Sequence, residues 1–394
     1  MYIKKKNSNV IIYLDGRINS DNATQLQQEL DKVLAENPEK TIILDVENLI
    51  YISSAGLRVL LRLSKKLRNP LTVQNVTSEI YEIFYMTGFT EILCVKKKLR
   101  ELSIDNCEIL GRGAMGTVYR VDEDTIVKVY ESPDSLPMIE NEQKRAKQAF
   151  LKGIPTAISF DIVKVGDKYG AVFELLKATT FNDLLINNTN HFDDIVRQYA
   201  YFIRQVHSVE VNRGELPQAK NVFLRYLDAL RNILSEDIYN RLFYLFDSLP
   251  DSLHIIHGDI QMKNVMYSEG EPLLIDMDTL SVGDPVFDLM GVFITYKLFN
   301  EDEPNNTDVF LGLSKELCDN IWEKTMYYYF DNRCSETLSE AENKIKIVAY
   351  VRFLYLISVF NIGKDELRQL RIDHTLSHLH KLIFQVSSLE IGLD

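Results

Sequence analysis

The spacing of apolar and polar positions divides the chain into two parts with different patterns. In about the first 95 residues, short apolar runs alternate with segments in which apolar residues recur every three or four positions. The runs predict buried strands at residues 10–14, 41–46 and 71–76, and the spaced segments predict helices ending near residue 36, at 55–67 and at 79–86. Ser20 or Asp21 is predicted to cap the first helix, and Ser53 and Ser54 the second. Such alternation is typical of an α/β domain with a mixed or parallel sheet covered by helices.

The second part begins with strand patterns and continues with helical ones. Strands are predicted at residues 107–112, 117–121, 125–130, 158–165 and 169–175, with a helix at 137–151 between the third and fourth. From about residue 180 the pattern is mainly helical, with amphipathic stretches at 192–208, 222–234 and 342–359 and a short β-rich insert at 254–276. This order predicts an α+β domain with a β-rich lobe followed by a helical lobe. A charge run at residues 96–101 is read as a linker, which places domains at 1–100 and 104–394.

Composition limits the class of protein. The 394 residues are 46% hydrophobic and 26% charged, which excludes a disordered chain, a collagen-like repeat and a disulfide-rich miniprotein. The net charge of −13 argues against binding to nucleic acid or to an anionic membrane surface. No apolar stretch approaches the ~18 residues that span a bilayer, and the N-terminus has no signal-peptide pattern. We therefore expect a cytoplasmic protein whose four widely spaced cysteines are reduced and buried, at positions 94, 107, 318 and 334.

A glycine-rich run, GRGAMGTV at residues 111–118, is the first candidate for chemistry. Its fixed positions are Gly111, Gly113, Gly116 and Val118, and glycines let backbone amides approach phosphate closely. A P-loop would need Lys where Thr117 stands, and a dinucleotide-binding turn would need a helix where the sequence alternates like a strand. A strand–loop–strand that covers ATP phosphates fits both flanks. An ordinary glycine hairpin is the remaining alternative.

A lysine and an acid follow this run at suitable places. Lys128 lies in the middle of the predicted strand 125–130, where it can point one charge into a cleft and hold nucleotide phosphates. An acid on the next helix would orient it, and we expect Glu142 in that role, with Glu140 as the alternative. The alternative, which the pattern favours less, is a surface lysine on an edge strand.

The strongest signal is HGDIQMKN at residues 257–264, followed by LLIDMD at 273–278. Asp259 is a candidate base, and Asn264 with Asp276 offers the oxygen ligands that Mg²⁺ takes alongside phosphate and water. Asp278 is a further candidate for the metal, but it is rather expected to meet solvent or cap the backbone. Asp284 and Asp288 are expected to brace the catalytic loop.

Residues 106–390 resemble the protein-kinase-like fold, and most closely its aminoglycoside phosphotransferase and choline kinase branch. HGDxxxxN, IDxD at 275–278 and GDPxxDL at 283–289 carry the similarity, while the glycine-rich loop is more similar to that of protein kinases. The resemblance implies ATP as the phosphoryl donor, Mg²⁺ as the metal and a bilobal domain. It also implies Lys128 on the phosphates, Glu142 as its partner, Asp259 as the base, Asn264 and Asp276 on the metal, and residues 173–176 as a hinge that meets adenine through Glu174 and Leu176.

Departures from the protein-kinase pattern bear on the acceptor. Gln261 replaces the Lys or His often found two residues after the base, and Met277 and Asp278 replace Phe-Gly. Only 11 residues separate Asp276 from Asp288, which leaves no room for a protein-kinase activation segment. These differences favour a small-molecule or atypical acceptor.

Residues 8–95 resemble STAS domains, the fold of anti-sigma-factor antagonists. GRINS at 16–20, LDV at 44–46 and YISSAGL at 51–57 carry the similarity. In that family a serine of the last segment is phosphorylated by a partner kinase, and Ser54 matches it by position. A phosphate there would meet the unpaired amides and the positive end of a helix. The alternative is that Ser53 and Ser54 only cap the helix.

Three functions are compatible with these features. The first is a phosphotransferase that acts on a small hydroxyl compound and is coupled to a STAS signalling domain. The second is an atypical serine kinase that acts on Ser54 or on a STAS partner protein. The third is a nucleotide-binding scaffold without activity, which the intact set of site residues disfavours.

Overall fold

The fold was analysed in a computed structural model, which describes residues 1–6, 9–113, 115–303, 305–331, 335–360 and 365–392. The chain divides into two compact units: Met1–Ser103 with Val163–Gly166, and Ile104–Ile162 with Asp167–Asp394. Each unit has its own apolar core. Among the helices that fall within these ranges, none is both long and apolar enough to cross a bilayer.

The first unit is an α/β domain built on a mixed sheet. Its elements are β1 (Tyr2–Lys6), β2 (Asn9–Tyr13), β3 (Gly16–Ile18), α1 (Ala23–Glu36), β4 (Thr41–Asp45), β5 (Leu49–Ile52), α2 (Ser54–Lys66), β6 (Thr72–Val76), α3 (Ser78–Met86), α4 (Phe89–Ile92), β7 (Cys94–Lys97) and β8 (Arg100–Glu101). The main sheet has the order β1-β2-β4-β6-β7, in which only β1 runs antiparallel to its neighbour. The expected mixed sheet covered by helices is therefore confirmed.

Two local predictions in this unit were wrong. Helix α1 begins after Asn22 rather than after Ser20 or Asp21, because Asn19 and Asn22 close a turn: each side chain accepts the other's backbone N–H, at 2.9 and 3.3 Å. The segment Cys94–Lys97, partly read as a linker, is the edge strand β7. Lysines at exposed positions are compatible with an edge strand, since they discourage pairing with another chain.

The second unit has a β-rich lobe followed by a helical lobe, as expected. Its β-rich part contains β9 (Glu108–Arg112), β10 (Gly116–Arg120), β11 (Thr125–Tyr130), α5 (Leu136–Leu151) and β13 (Lys168–Glu174). The strand β12 (Asp161–Val165) begins in this unit, and its residues from Val163 onward belong to the first unit. The helical part contains β14 (Ala178–Thr180), α6 (Phe181–Asn187), α7 (Phe192–His207), α8 (Ala219–Ala229), α9 (Glu236–Asp247), β15 (Ile255–Ile256), β16 (Val265–Ser268), β17 (Glu271–Leu274), β18 (Ser281–Val282), α10 (Val286–Tyr296), α11 (Asn306–Leu311), α12 (Lys315–Tyr329), α13 (Ser335–Ser358) and α14 (Asp365–Leu382).

Two features of the second unit position the site. Four neighbouring strands follow the order β13-β11-β10-β9, so β11 and its lysine lie inside the sheet. In the helical lobe, β15 pairs with β18 and β16 pairs with β17, and these two small ladders hold the intervening loops in place. Every residue of helix α10 is buried, and this helix supports the loops.

The cysteines differ in exposure. Cys318 is buried as expected, whereas Cys94 is exposed and Cys107 is half-buried. The expectation that all are buried was therefore wrong for these two, both of which lie in or near strand edges. Cys334 lies outside the described residues.

Candidate active site

Lys128 is the centre of a charged cluster in the second unit. On β11 the side chains of Val127 and Val129 are buried on one face, so the alternation of the strand turns Lys128 to the other. Its ammonium group lies 3.7 Å from Glu142 Oε1 and forms an ion pair with Asp276 Oδ1. Burial works to lower the pKa of Lys128, but the two carboxylates outweigh it and the pKa is raised. The amine is therefore held in its charged form.

Glu142 reaches Lys128 from helix α5. Its side chain is buried, and Oε2 accepts a hydrogen bond of 2.6 Å from the hydroxyl of Tyr130. Glu140, the alternative partner, is exposed on the same helix. One turn after Glu142, Arg145 donates to the backbone carbonyl of Asp278, so α5 also contacts the segment that carries Asp276.

The catalytic-loop candidates Asp259 and Asn264 contact each other directly. The Asn264 side-chain amide donates to the Asp259 carboxylate at 2.9 Å and to the Asp259 backbone carbonyl at 2.8 Å. Gln261 donates to the same carboxylate oxygen at 3.2 Å. Because the amide N–H groups are used inside the loop, Asn264 Oδ1 is the atom that remains for an external ligand.

An imidazole contacts both the loop and the Asp276 segment. His257 Nε2 lies 3.0 Å from the Ile275 carbonyl, and the backbone N–H of Asp259 donates to His257 Nδ1 at 3.3 Å. These partners assign a neutral ring with the proton on Nε2. The base candidate and the metal-ligand candidate are therefore held by one side chain.

Asp288 supports the loop from α10. Its carboxylate accepts the backbone N–H groups of His257, at 2.8 Å, and of Gly258. His207 also lies 2.9 Å from it. Burial works to raise the pKa of Asp288, but these hydrogen bonds prevail and the pKa is lowered. The expectation that Asp288 braces the loop is confirmed.

Asp284 does not brace the catalytic loop, so that prediction was wrong. Its carboxylate accepts the backbone N–H groups of Val286 at 2.9 Å, Ile391 at 3.0 Å and Gly392 at 3.1 Å. Asp284 therefore fastens the C-terminal segment to the start of α10.

Three further side chains hold the loop, and sequence reasoning missed them. The Tyr199 hydroxyl donates to the Ile260 carbonyl, and the Tyr296 hydroxyl accepts the Met262 N–H at 3.1 Å. Arg352, on α13, donates to the Gly258 carbonyl. No local motif marks these residues, since each is far from the loop in the chain.

Asp276 has an unusual backbone and a partly exposed carboxylate. Its φ of 65° lies in the left-handed region, which Asp tolerates better than most residues. Such strain at a cleft residue is often associated with function. Next to it, burial and then the negative charge of Asp276 raise the pKa of Asp278 to about 6. Asp278 is half-buried, so it is less solvated than expected.

The glycine-rich loop lies between β9 and β10. The Gly113 N–H donates to the Gly116 carbonyl at 2.9 Å, which closes the loop. A Cβ on Gly116 would lie 2.3 Å from the Val129 carbonyl oxygen, so only glycine fits there. At Gly111 and Gly113 no such contact exists, and open space lies over both. Ala114 lies outside the described residues.

The hinge segment follows β13. The Leu175 N–H donates to the Asp124 carbonyl at 2.7 Å, which fixes the segment against the turn before β11. Among the described residues, the Leu176 N–H has no hydrogen-bond partner, so it remains available to a ligand. Glu174 is exposed at the end of the strand.

In the first unit, Ser53 and Ser54 have different surroundings. Ser53 is the N-cap of α2, and its hydroxyl accepts the Gly56 N–H at 3.4 Å. Ser54 begins the helix and is exposed. The capping alternative therefore applies to Ser53 alone.

Comparison with known proteins identifies both parts of the chain. The profile of the APH phosphotransferase enzyme family matches residues 106–310, and the STAS domain profile matches residues 1–102. An assigned anti-sigma factor antagonist, BtrV of Bordetella bronchiseptica, is 39% identical over 89 residues, which are 22% of this chain and 76% of that protein.

The solved structures to which the chain is similar include an aminoglycoside phosphotransferase and a choline/ethanolamine kinase family protein. The aminoglycoside phosphotransferase APH(2'')-Ib with bound ADP is 16% identical, with 78% of this chain and 99% of that chain covered and a TM-score of 0.47. A choline/ethanolamine kinase family protein from Mesorhizobium loti is 15% identical, with 73% and 90% covered and a TM-score of 0.45.

The family profiles identify a phosphotransferase domain in the second unit and a STAS domain in the first. The chain belongs to the phosphotransferase enzyme family, whose profile spans more than half of its length, and carries a STAS domain at its N-terminus. The resemblances drawn from the sequence motifs are confirmed.

Proposed function

We propose that the protein transfers the γ-phosphoryl group of ATP, with Mg²⁺, to a hydroxyl group of an acceptor, and that the STAS domain couples this activity to signalling. The observation that carries the proposal is the contact of the Lys128 ammonium group with both Glu142 and Asp276. A lysine held charged between an α5 acid and a metal-ligand candidate is the arrangement that kinases use on nucleotide phosphates. The Asp259–Asn264 loop is joined to the same cluster through His257.

The donor side would be formed by the β-rich lobe. Backbone amides of the glycine-rich loop would cover the phosphates, and Lys128 would bind their oxygens while Glu142 orients it. The free Leu176 N–H and the backbone of Glu174 would meet adenine. These interactions act by positioning the reacting groups and by stabilising negative charge in the transition state.

The donor set fits magnesium. Asn264 Oδ1 is left free by the hydrogen bonds of its own amide, and Asp276 offers a partly exposed carboxylate. A small hard cation with few protein oxygens and several phosphate oxygens suits these two residues. Bound there, Mg²⁺ would supply neutralisation of charge on the phosphates.

Asp259 would act as the base. The acceptor oxygen forms a bond to the γ-phosphorus, the bond from that phosphorus to the β,γ-bridging oxygen breaks, and ADP leaves with the electron pair. The acceptor's proton passes to the Asp259 carboxylate, which Asn264 and Gln261 hold in place.

A small molecule is favoured as acceptor. Asp276 is followed by a single short helical turn, by β18 and then by α10, which begins at Val286. That short, ordered connection offers no platform for an extended peptide. A protein serine is the second candidate, because Ser54 is exposed at the start of α2 and its neighbour Ser53 already supplies the cap.

One labelling experiment separates these functions. The purified chain is incubated with γ-labelled ATP and Mg²⁺, alone and with a panel of hydroxyl compounds, and phosphoserine is mapped. Label on an added compound supports the small-molecule function, and label on Ser54 supports the serine kinase. Both labels are expected to disappear in Asp259→Asn. ATP binding without any transfer would overturn the proposal and leave a nucleotide-binding scaffold.

A further inference from the structure

Beside the catalytic loop, residues 257–264, lies a guanidinium group that has no carboxylate partner in the part of the chain that the structure describes. Arg352 is half-buried and donates to the carbonyl of Gly258, the residue before Asp259. Among the described residues, no carboxylate oxygen lies within ion-pair distance of Arg352. A partly buried cation that is satisfied only by a backbone carbonyl keeps donors free, and guanidinium donors match carboxylate and phosphate oxygens.

Two stacked aromatic rings stand next to this arginine. Tyr226 on α8 and Tyr355 on α13 are stacked, with ring centroids 4.0 Å apart and an interplanar angle of 21°. Tyr355 lies one helical turn after Arg352 on the same helix, since residues three apart share a face. Both rings are half-buried, so part of their surface is accessible.

The charged groups that act on Tyr226 include residues of the candidate active site. Burial raises the pKa of Tyr226, the positive charges of Arg352 and Arg225 oppose that rise, and the carboxylate of Asp278 adds to it. The phenol therefore lies within the fields of both arginines and of the segment that carries Asp276. Arg225 is exposed beside Tyr226 and, like Arg352, has no carboxylate partner in the described part of the chain.

From this arrangement, and resting on the proposed function, we infer that the acceptor is an anion. It is a hydroxyl compound with a carboxylate or phosphate group near a planar portion, bound by Arg352 and Arg225 beside the Tyr226–Tyr355 pair. Arg352 beside the catalytic loop and Arg225 next to Tyr226 in the chain, both without a carboxylate partner among the described residues, attract such a compound and repel a cationic amine. The planar portion packs on the rings, which present flat apolar area. The acceptor therefore has the opposite charge to an amino sugar or a choline.

The test is a pair of titrations on the full chain. Phenyl phosphate and phenyltrimethylammonium, which share a ring and differ in charge, are titrated by calorimetry into protein saturated with AMP-PNP and Mg²⁺. The nucleotide analogue fills the donor phosphate positions, so phenyl phosphate cannot bind there. Phenyl phosphate is expected to bind and the ammonium compound is not.

Variants assign the binding to the arginines. Arg352→Gln is expected to weaken phenyl phosphate binding roughly tenfold, as loss of a charged hydrogen bond does. Arg225 is exposed, and Arg225→Gln leaves the loop contacts intact. This variant is expected to weaken phenyl phosphate binding less than Arg352→Gln does, and it tests the role of the arginines if Arg352→Gln unfolds. Arg241→Gln is the matched control, because Arg241 also donates to backbone carbonyls but on α9.

The inference is overturned if the cation binds as tightly as the anion, if phenyl phosphate does not bind, or if both arginine variants bind it unchanged. Binding of AMP-PNP alone is measured first. Its absence would contradict the proposed function, while the titration of the nucleotide-free protein and its two variants would still decide the charge of the second ligand.

Discussion

Lys128 Nζ lies 3.7 Å from Glu142 Oε1, while the other oxygen of that carboxylate accepts the Tyr130 hydroxyl at 2.6 Å. Glu142 is thus held from one side by a neutral donor and faces a charged amine on the other. A carboxylate fixed in this way sets the direction of the amine. The same helix carries Glu140 toward solvent, which supplies a control within two residues.

Glu142→Gln is expected to lower kcat for phosphoryl transfer by about 10²–10³, the loss seen when one preorganised electrostatic partner is removed. Gln keeps the size of the side chain but loses the charge that orients Lys128. The measurement is steady-state transfer to the acceptor found by labelling. Glu140→Gln should retain the activity of the unaltered protein, and an equal loss in both variants would contradict the role of Glu142.

Asp288→Asn is expected to destabilise the second unit by ~3–5 kcal/mol at pH 7, because it breaks a buried pair with His207 and weakens the hold on the loop. The only tryptophan, Trp322, is buried in this unit, so its fluorescence during urea unfolding reports on this unit alone. The free energy of unfolding is compared between the two proteins.

The effect of Asp288→Asn on the free energy of unfolding should depend on pH, because the pKa of Asp288 is lowered in the folded protein. The carboxylate contributes its full stability above its unfolded pKa of about 3.9 and loses it as the pH falls through the lower folded value. The difference in the free energy of unfolding between the original protein and Asp288→Asn is therefore expected to become smaller below about pH 4. A gap that stays constant to lower pH would show that the charge of Asp288 does not stabilise the fold.

Two glycines of the loop at residues 111–116 should respond differently to alanine. Gly116→Ala places a Cβ 2.3 Å from the Val129 carbonyl oxygen and is expected to cost ~1–3 kcal/mol of stability. At Gly113 the nearest atom to an added Cβ is 3.9 Å away, so Gly113→Ala should fold normally. It is expected instead to raise the KM for ATP several-fold by crowding the phosphates. Thermal unfolding and ATP kinetics of both variants check this, and an unchanged KM in Gly113→Ala would contradict phosphate binding by the loop.

Any phosphate introduced into the STAS domain is expected on Ser54 rather than Ser53. Ser54 is exposed, whereas the Ser53 hydroxyl is used by the Gly56 N–H. Phosphate incorporation, mapped by mass spectrometry, should be lost in Ser54→Ala and kept in Ser53→Ala. The reverse result would reassign the site.

Sequence reasoning placed the elements whose signals are local. The strand 125–130 was predicted with its observed bounds, because turn residues lie on both sides of a mainly apolar run that contains Lys128. Asp259, Asn264 and Asp276 were predicted as site residues from their spacing inside one short segment. Lys128 and Asp276 are 148 positions apart in the chain and yet contact each other. Their spacing alone did not predict this contact, which was expected only from the resemblance to a known fold.

What sequence reasoning missed depends on distant packing. Arg352 lies 94 positions from Gly258 on a helix without a motif, so nothing in the sequence connects them. Asp284 and Asp288 belong to one motif, yet one holds the C-terminal segment and the other the catalytic loop. Strand β1 was overlooked because its run of lysines hides the alternation that pairing with β2 reveals.

The imidazole of His257 has a mechanical consequence. Because one imidazole holds both the backbone of Asp259, the candidate base, and the strand end before Asp276, these two residues are linked within the helical lobe. The Lys128 amine and the glycine-rich loop, by contrast, belong to the β-rich lobe. If the proposed function holds, opening of the cleft would move Lys128 and the glycine-rich loop away from Asp259 and Asp276 while the His257 link keeps those two residues together.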